Sequence, residues 1–316
     1  SIFMVIVNFS ARCKVLENKN CNGTPMKKGR VSRTAEAAAA LRANHHLNAN
    51  DPVFSDPYAF EMTNARWKFL LKNDLFRKTL NSTLMNQTFG KLTGQVVGRS
   101  RYTEDLLLHA IEKNHIQQYV LVGAGLDSFI LRLAEKFPNL KIFEVDHPDT
   151  QKTKIHKLKK LGTIPNNVEF VSIDFEKEKL SDALLRSQYH ATEKALFSWL
   201  GTPHYLTPET TLGTLQNIAS IAASGSELVM DYSLDYHQLR GIERYGAFAL
   251  THFTRFLKEP LIGAFSSLEL HQAVEKMGYI VAEDLSGIDI TQRYFHQRAD
   301  YIQHTTASQL IHLRLA

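Results

Sequence analysis

The stretch VLVGAGLDSFILRL, residues 120–133, decides the fold class. Apolar residues run into Gly123-Ala124-Gly125, and a helical pattern follows. Glycines at the end of a buried strand let the chain turn tightly into a helix and let backbone approach a ligand closely. That arrangement suits several nucleotide cofactors. The dinucleotide fingerprint asks for a third glycine three residues after Gly125, where this chain has Ser128. No Gly-Lys-Ser/Thr follows, so the phosphate-binding P-loop is absent. Asp127 falls at the start of the helix, where a carboxylate caps free amides and suits the helix dipole. It would repel a diphosphate but not a cofactor bearing a sulfonium and an ammonium. The residues thus favour S-adenosylmethionine over NAD.

Downstream, strands and helices alternate. LKIFEVD, VEFVSIDF, KALFSWLG and SELVMDY read as strands. SFILRLAEKF reads as a helix with Phe129, Ile130, Leu133, Ala134 and Phe137 on one face. TPETTLGTLQNIASIAA reads as a helix capped by Thr207 with Pro208 in its first turn. A helix over Ser267–Met277 precedes YIVAEDL and QLIHLRLA, a closing pair of strands. Such alternation predicts a parallel sheet covered on both faces, with the ligand outside the carboxyl ends of its strands. Gly123–Asp127, Glu144–Asp146, Asp174–Phe175 and Trp199–Gly201 all fall at those ends. Asp146 suits ribose hydroxyls, or else caps the helix that begins at Pro148; Glu144, on the same side of its strand, is its rival. Asp174 can take an adenine amino group while Phe175 covers the ring, or can simply close a strand.

The N-terminal third has a different character. Residues 1–30 read as a tail or linker, and their apolar opening is far shorter than the ~20 residues of a membrane span. Residues 31–100 read as a helical cap, with two Asp-Pro breaks at Asp51 and Asp56. Residues 101–316 read as the core, with a lid insertion around 236–265. The chain carries a formal charge of +5, which is weak evidence for nucleic acid. Its densest basic run, QKTKIHKLKK, reads as a solvated helix face. Cys13 and Cys21 have no zinc spacing, and the histidines are scattered, so neither disulfide nor metal is expected. These features predict a cytoplasmic protein that handles a small molecule rather than nucleic acid or membrane.

Several stretches, in order, carry a family resemblance: SRTAEAAAALRA, DPVFSDPYA, VVGRSRYTEDLL, QYVLVGAGLDSFILRL, FEVDHPDTQKTK, VEFVSIDFE and WLGTPHYLTPET. Over about residues 31–285 the chain is similar to the leucine carboxyl methyltransferase-like family, in its bacterial branch of S-adenosylmethionine-dependent O-methyltransferases. The resemblance implies a Rossmann-like class I methyltransferase, with a seven-stranded, mostly parallel α/β sheet and an added helical N-terminal region. It implies that Gly123, Ala124 and Gly125 approach the methionine part of the cofactor, with Asp127 beside them. Asp146, with Glu144 as its rival, would hold the ribose, and Asp174 and Phe175 would flank the adenine. Arg101, in GRSRYTEDL, and Arg42, in AALRA, would pair with the cofactor carboxylate, as a planar bidentate donor can. Leu200 stands where the protein-methylating members have a glutamate, which points away from a protein C-terminus and toward a small-molecule carboxylate or hydroxyl. A hydroxyl would profit from a base, and Tyr205, His204 and Asp231 are the candidates at the sheet edge. An NAD-dependent oxidoreductase and a non-catalytic cofactor-binding module are the alternatives.

Overall fold

The computed structural model describes residues 33–175, 177–235 and 262–316. The expected tail, and residues 236–261 of the lid expected around 236–265, lie outside the described residues, while Ala264–Phe265 at its end form a strand.

Five helices precede the sheet: α1 (Arg33–Asn48), α2 (Ala59–Met62), α3 (Ala65–Lys72), α4 (Asp74–Leu80) and the long α5 (Thr83–Lys113). Asn64 and Asn73 cap α3 and α4 by accepting the Trp67 and Phe76 amides, which stops the short helices from merging. Helix α5 runs through residue 100, so the helical region and the core share one element. Its glycines at every fourth position form a stripe. A Cβ at Gly94 would lie 2.0 Å from the Gln303 carbonyl, and one at Gly98 would lie 3.3 Å from the His304 ring. The stripe lets a C-terminal segment lie directly against the helix.

The alternating core follows as β1 (Gln118–Val122), α6 (Phe129–Arg132), β2 (Lys141–Asp146), α7 (Pro148–Leu161), β3 (Val168–Ser172), α8 (Leu180–Leu185), β4 (Ala195–Trp199), α9 (Pro208–Ile221) and β5 (Glu227–Leu234). It closes with β6 (Ala264–Phe265), α10 (Ser267–Lys276), β7 (Tyr279–Leu285), α11 (Gly287–Tyr294) and β8 (Ser308–Leu315). Seven strands lie in the order β3-β2-β1-β4-β5-β8-β7, with the two-residue β6 pairing beside β5. The first five are parallel, and β8 runs antiparallel between β5 and β7. Strand direction of growth reverses at β1, so the crevice of the sheet opens between the carboxyl ends of β1 and β4.

Strand side chains alternate between two cores. Tyr119, Leu121, Leu196 and Val229 pack on the face covered by α5 and α7, while Val120, Val122, Phe197, Met230 and Tyr232 pack on the other. Burial on both faces is what makes these strands read as continuous apolar runs.

Two expectations are corrected. The helix expected over SFILRLAEKF stops after four residues and continues as a 3-10 turn, Ala134–Lys136. Asn167 makes the break affordable: its side-chain amide donates to the Ala134, Phe137 and Leu140 carbonyls at 3.2, 3.0 and 2.8 Å. The basic run on α7 is not uniformly solvated either. Lys154 is buried with its Nζ 2.7 Å from Glu144 Oε2, and Lys157 donates to the Met62 and Thr63 carbonyls. Lys152, Lys159 and Lys160 do face outward. Among the described residues no helix is long and apolar enough to cross a membrane.

Candidate functional site

The turn after β1 is built on two left-handed glycines, Gly123 at φ +68° and Gly125 at φ +52°. The amides of Gly123 and Ala124 both donate to the Val145 carbonyl, at 2.8 and 3.1 Å. The Gly125 amide donates to Asp146 Oδ2, and the His147 amide donates to Asp146 Oδ1 at 2.6 Å. Asp146 is therefore fastened between the glycine turn and the exit of β2. Burial raises its pKa, and the two amide donors offset only part of that rise. A Cβ on Gly123 would stand 2.4 Å from Thr202 Oγ1, so the loop after β4 touches the glycine turn across the crevice.

Asp127 caps α6 as expected, accepting the Phe129 amide at 2.6 Å. Burial would raise its pKa, but Arg132, then Arg42 and Lys154, bring it below the ordinary value. Ser128, in the place of the missing third glycine, turns its hydroxyl away to Asp56 Oδ1 at 2.6 Å.

Asp56 is the centre of a buried clamp. Arg42 Nε donates to its Oδ2 at 2.9 Å, and Arg42 Nη2 donates to the Leu126 carbonyl at 2.8 Å. Arg132 reaches Ser128 Oγ at 2.8 Å and makes a two-pronged pair with Glu104 at 2.8 and 2.6 Å. One network thus ties α1, the Asp-Pro loop and α5 to the glycine turn. Ala35 of α1 sits over that turn, 3.3 Å from where a Gly125 Cβ would be.

Across the crevice, Asp231 of β5 is fully buried and accepts from three directions. The Gly201 amide donates to Oδ1 at 2.6 Å, while Arg99 Nη1 and His204 Nε2 stand 2.6 and 2.9 Å from Oδ2. Burial pushes this carboxyl upward, but Arg99, then His204 and the Gly201 amide, hold it well below the carboxylate range. Gly201 is left-handed at φ +74°, and a Cβ there would lie 2.7 Å from the Arg99 guanidinium.

The sequence-derived candidates divide accordingly. Gly123, Ala124, Gly125, Asp127 and Asp146 come together at the glycine turn, and Leu200 precedes the loop facing them. Asp174 and Phe175 follow β3 at the same edge, both half-buried, with Asp174 paired to Lys177 at 2.5 Å. His204 and Asp231 join the cluster around Arg99, and Tyr205 lies beside His204 with ring centroids 6.5 Å apart. Three candidates have other partners. Glu144 is committed to Lys154; burial pushes its carboxyl up to about 7, against the lowering effect of the lysine. Arg42 is spent on Asp56 and Leu126. Arg101 pairs with Asp105 at 2.9 Å, half exposed, because residues two apart on α5 face different ways. Arg99, not singled out from sequence, is the arginine beside Gly201. Its neighbours Val96, Val97, Ser100 and Thr103 are buried, a helical pattern that marks its side as inward.

Comparison with known proteins bears on the family and the fold. The leucine carboxyl methyltransferase family model covers residues 35–219. This chain belongs to that family. It is 30% identical over 306 residues to the Bacillus subtilis (strain 168) protein named "Putative S-adenosyl-L-methionine-dependent methyltransferase YktD", covering 91% of this chain and 99% of that one. A Mycolicibacterium smegmatis relative of like name is 27% identical over 205 residues, 64% of this chain and 66% of its own length. Among solved structures, a DUF574 family protein from Streptomyces avermitilis superposes with a TM-score of 0.59 at 11% identity, covering 90% of this chain and all of that one. A "putative methyltransferase" from Thermobifida fusca YX gives 0.58 at 14% identity, covering 89% and 94%. Those two likenesses show the fold. The family makes the chain an S-adenosylmethionine-dependent methyltransferase.

Proposed function

We propose that this protein transfers a methyl group from S-adenosyl-L-methionine to an oxygen, carboxylate or hydroxyl, of a small molecule. The observation that carries the reading is Asp146, a buried carboxylate fixed by the glycine turn at the reversal point of the sheet. Each of its oxygens accepts one backbone amide and keeps a lone pair for a ribose hydroxyl. Gly123 and Gly125 leave the turn without side chains, so backbone meets the ligand. The Ser128 hydroxyl is used inward, which leaves no phosphate cradle at the third fingerprint position and suits a cofactor without a diphosphate.

S-adenosylmethionine, when bound, supplies an electrophilic methyl group on a sulfonium. The chain's part is to bind, align and keep water out. Asp146 would hold the ribose, Asp174 and Phe175 the adenine, and Arg99 would take the cofactor carboxylate in place of Arg101. The Asp56 clamp keeps α1 over the turn. Leu200 gives no carboxylate where protein-methylating relatives use one, which supports a small acceptor. The modest positive charge supports neither a nucleic-acid nor a membrane partner, and we place the protein in the cytoplasm.

Calorimetric titration with S-adenosylhomocysteine, with NAD as comparison, tests this. Binding of S-adenosylhomocysteine alone is expected. Asp146→Asn should weaken it at least tenfold, since a hydrogen bond to a charged group contributes about 1.5–3 kcal/mol. Binding of NAD alone would refute the methyltransferase reading.

A further inference from the structure

The turn after β4 and the end of β5 hold three side chains in line. Asp231 and Ser233 are two residues apart on β5 and so share a face. The His204 ring bridges them, with Nε2 2.9 Å from Asp231 Oδ2 and Nδ1 2.7 Å from Ser233 Oγ. We propose that Ser233, His204 and Asp231 form a proton relay for an acceptor hydroxyl, so that the methyl acceptor is an alcohol or phenol rather than a carboxylate. This deepens the methyltransferase reading above and rests on it.

The donor pattern has a direction. Ionised Asp231 only accepts, so in the proposed relay Nε2 donates to it, and Nδ1 of a singly protonated ring accepts from Ser233. Ser233 is half-buried at the carboxyl end of β5, whereas His204 and Asp231 are buried behind it. The Ile262 and Gly263 amides donate to the His204 carbonyl at 3.0 and 3.1 Å, and Ala264 pairs with Ser233. The relay therefore stands between the end of β5 and the start of β6.

The relay lies beside the Arg99 guanidinium, which Asp231 also holds. Among the described residues, the groups facing His204 are Arg99 and Gln95 from α5, Asp231 and Ser233 from β5, Tyr205 of its own turn, and His304 from the segment before β8. His304 adds no positive charge at neutral pH, since burial lowers its pKa to about 4. In the step, the acceptor proton passes to Ser233 Oγ while the Ser233 proton moves to His204 Nδ1. The acceptor oxygen bonds to the methyl carbon, and the carbon–sulfur bond breaks with its electron pair left on sulfur. Asp231 balances the imidazolium until it loses its proton to water.

The first test needs no acceptor. In protein labelled with nitrogen-15 histidine, the His204 ring is assigned by its loss in His204→Gln. At pH 7 Nδ1 should be unprotonated, and Ser233→Ala should shift its resonance. A protonated Nδ1 would overturn the relay. The second test offers labelled S-adenosylmethionine to matched phenols, alcohols and carboxylic acids. Methylation of a hydroxyl compound is expected. Ser233→Ala should lower its kcat about 100-fold or more, the scale of general-base catalysis. S-adenosylhomocysteine affinity should stay within about twofold, and Ser233→Thr should restore turnover. Methylation of carboxylic acids alone, full turnover by Ser233→Ala, or no turnover of any hydroxyl compound would each reject the relay. Failure of the wild-type protein to bind S-adenosylhomocysteine would instead remove the methyltransferase reading, and the relay with it.

Discussion

His45 links the acid stability of this protein to the loop that braces its glycine turn. It lies on the inner face of α1, 2% exposed, and its Nε2 accepts the Val53 amide at 3.0 Å. That bond requires an unprotonated Nε2. Burial, with the nearby Arg298 adding to it, lowers the His45 pKa from 6.5 to about 4. The folded state therefore resists a proton that the unfolded chain accepts near pH 6.5. The stabilisation is complete above that pH and is lost as pH falls toward 4. At about 1.4 kcal/mol for each tenfold change in binding, the whole window corresponds to about 3 kcal/mol. That is a large share of the ~5–15 kcal/mol by which domains are stable. His304, also lowered to about 4, titrates over the same range, and the raised carboxylates Glu144 and Asp146 act in the opposite sense. A variant difference isolates the one group. His45→Gln keeps an acceptor for Val53 and removes the titration. Urea unfolding at intervals from pH 7.5 to 4.5 should show the wild type losing about 2–3 kcal/mol more than His45→Gln. Parallel stability curves for the two proteins would refute the assignment of the bond and of the shift together.

Two further substitutions probe the crevice. Gly123→Ala combines a left-handed backbone with a Cβ 2.4 Å from Thr202 Oγ1; it should cost more than about 1 kcal/mol in thermal unfolding and abolish measurable S-adenosylhomocysteine binding. Arg99→Ala leaves Asp231 buried with one cation fewer and should destabilise by about 3 kcal/mol, whereas Arg101→Ala, which breaks a half-exposed pair with Asp105 and a 3.3 Å bond to the Val53 carbonyl, should destabilise by only about 1 kcal/mol. Equal effects of the two arginine substitutions in chemical denaturation would contradict the inward placement of Arg99.

The order of strands and helices after residue 118 was legible in the sequence because strands buried on both faces are continuous apolar runs, and the helices between them carry Asp, Thr and Pro starts. The glycine turn, Asp127 as a cap and Asp146 at the exit of β2 were legible for the same local reason: backbone at φ > 0 and a helix start each demand particular residue types. The tertiary structure decided the rest, because pairing across the chain leaves no local trace. A lysine in a basic run looks solvated until Glu144 of a neighbouring strand is found behind it. Arg99 and Arg101 are alike in sequence, and only the packing of α5 against β5 sends one to Asp231 and the other to the surface. Asp56 reads as half of an Asp-Pro break, yet it anchors two arginines and a serine. The serine, histidine and aspartate of the proposed relay come from two segments whose neighbourhood exists only once β4 and β5 lie side by side.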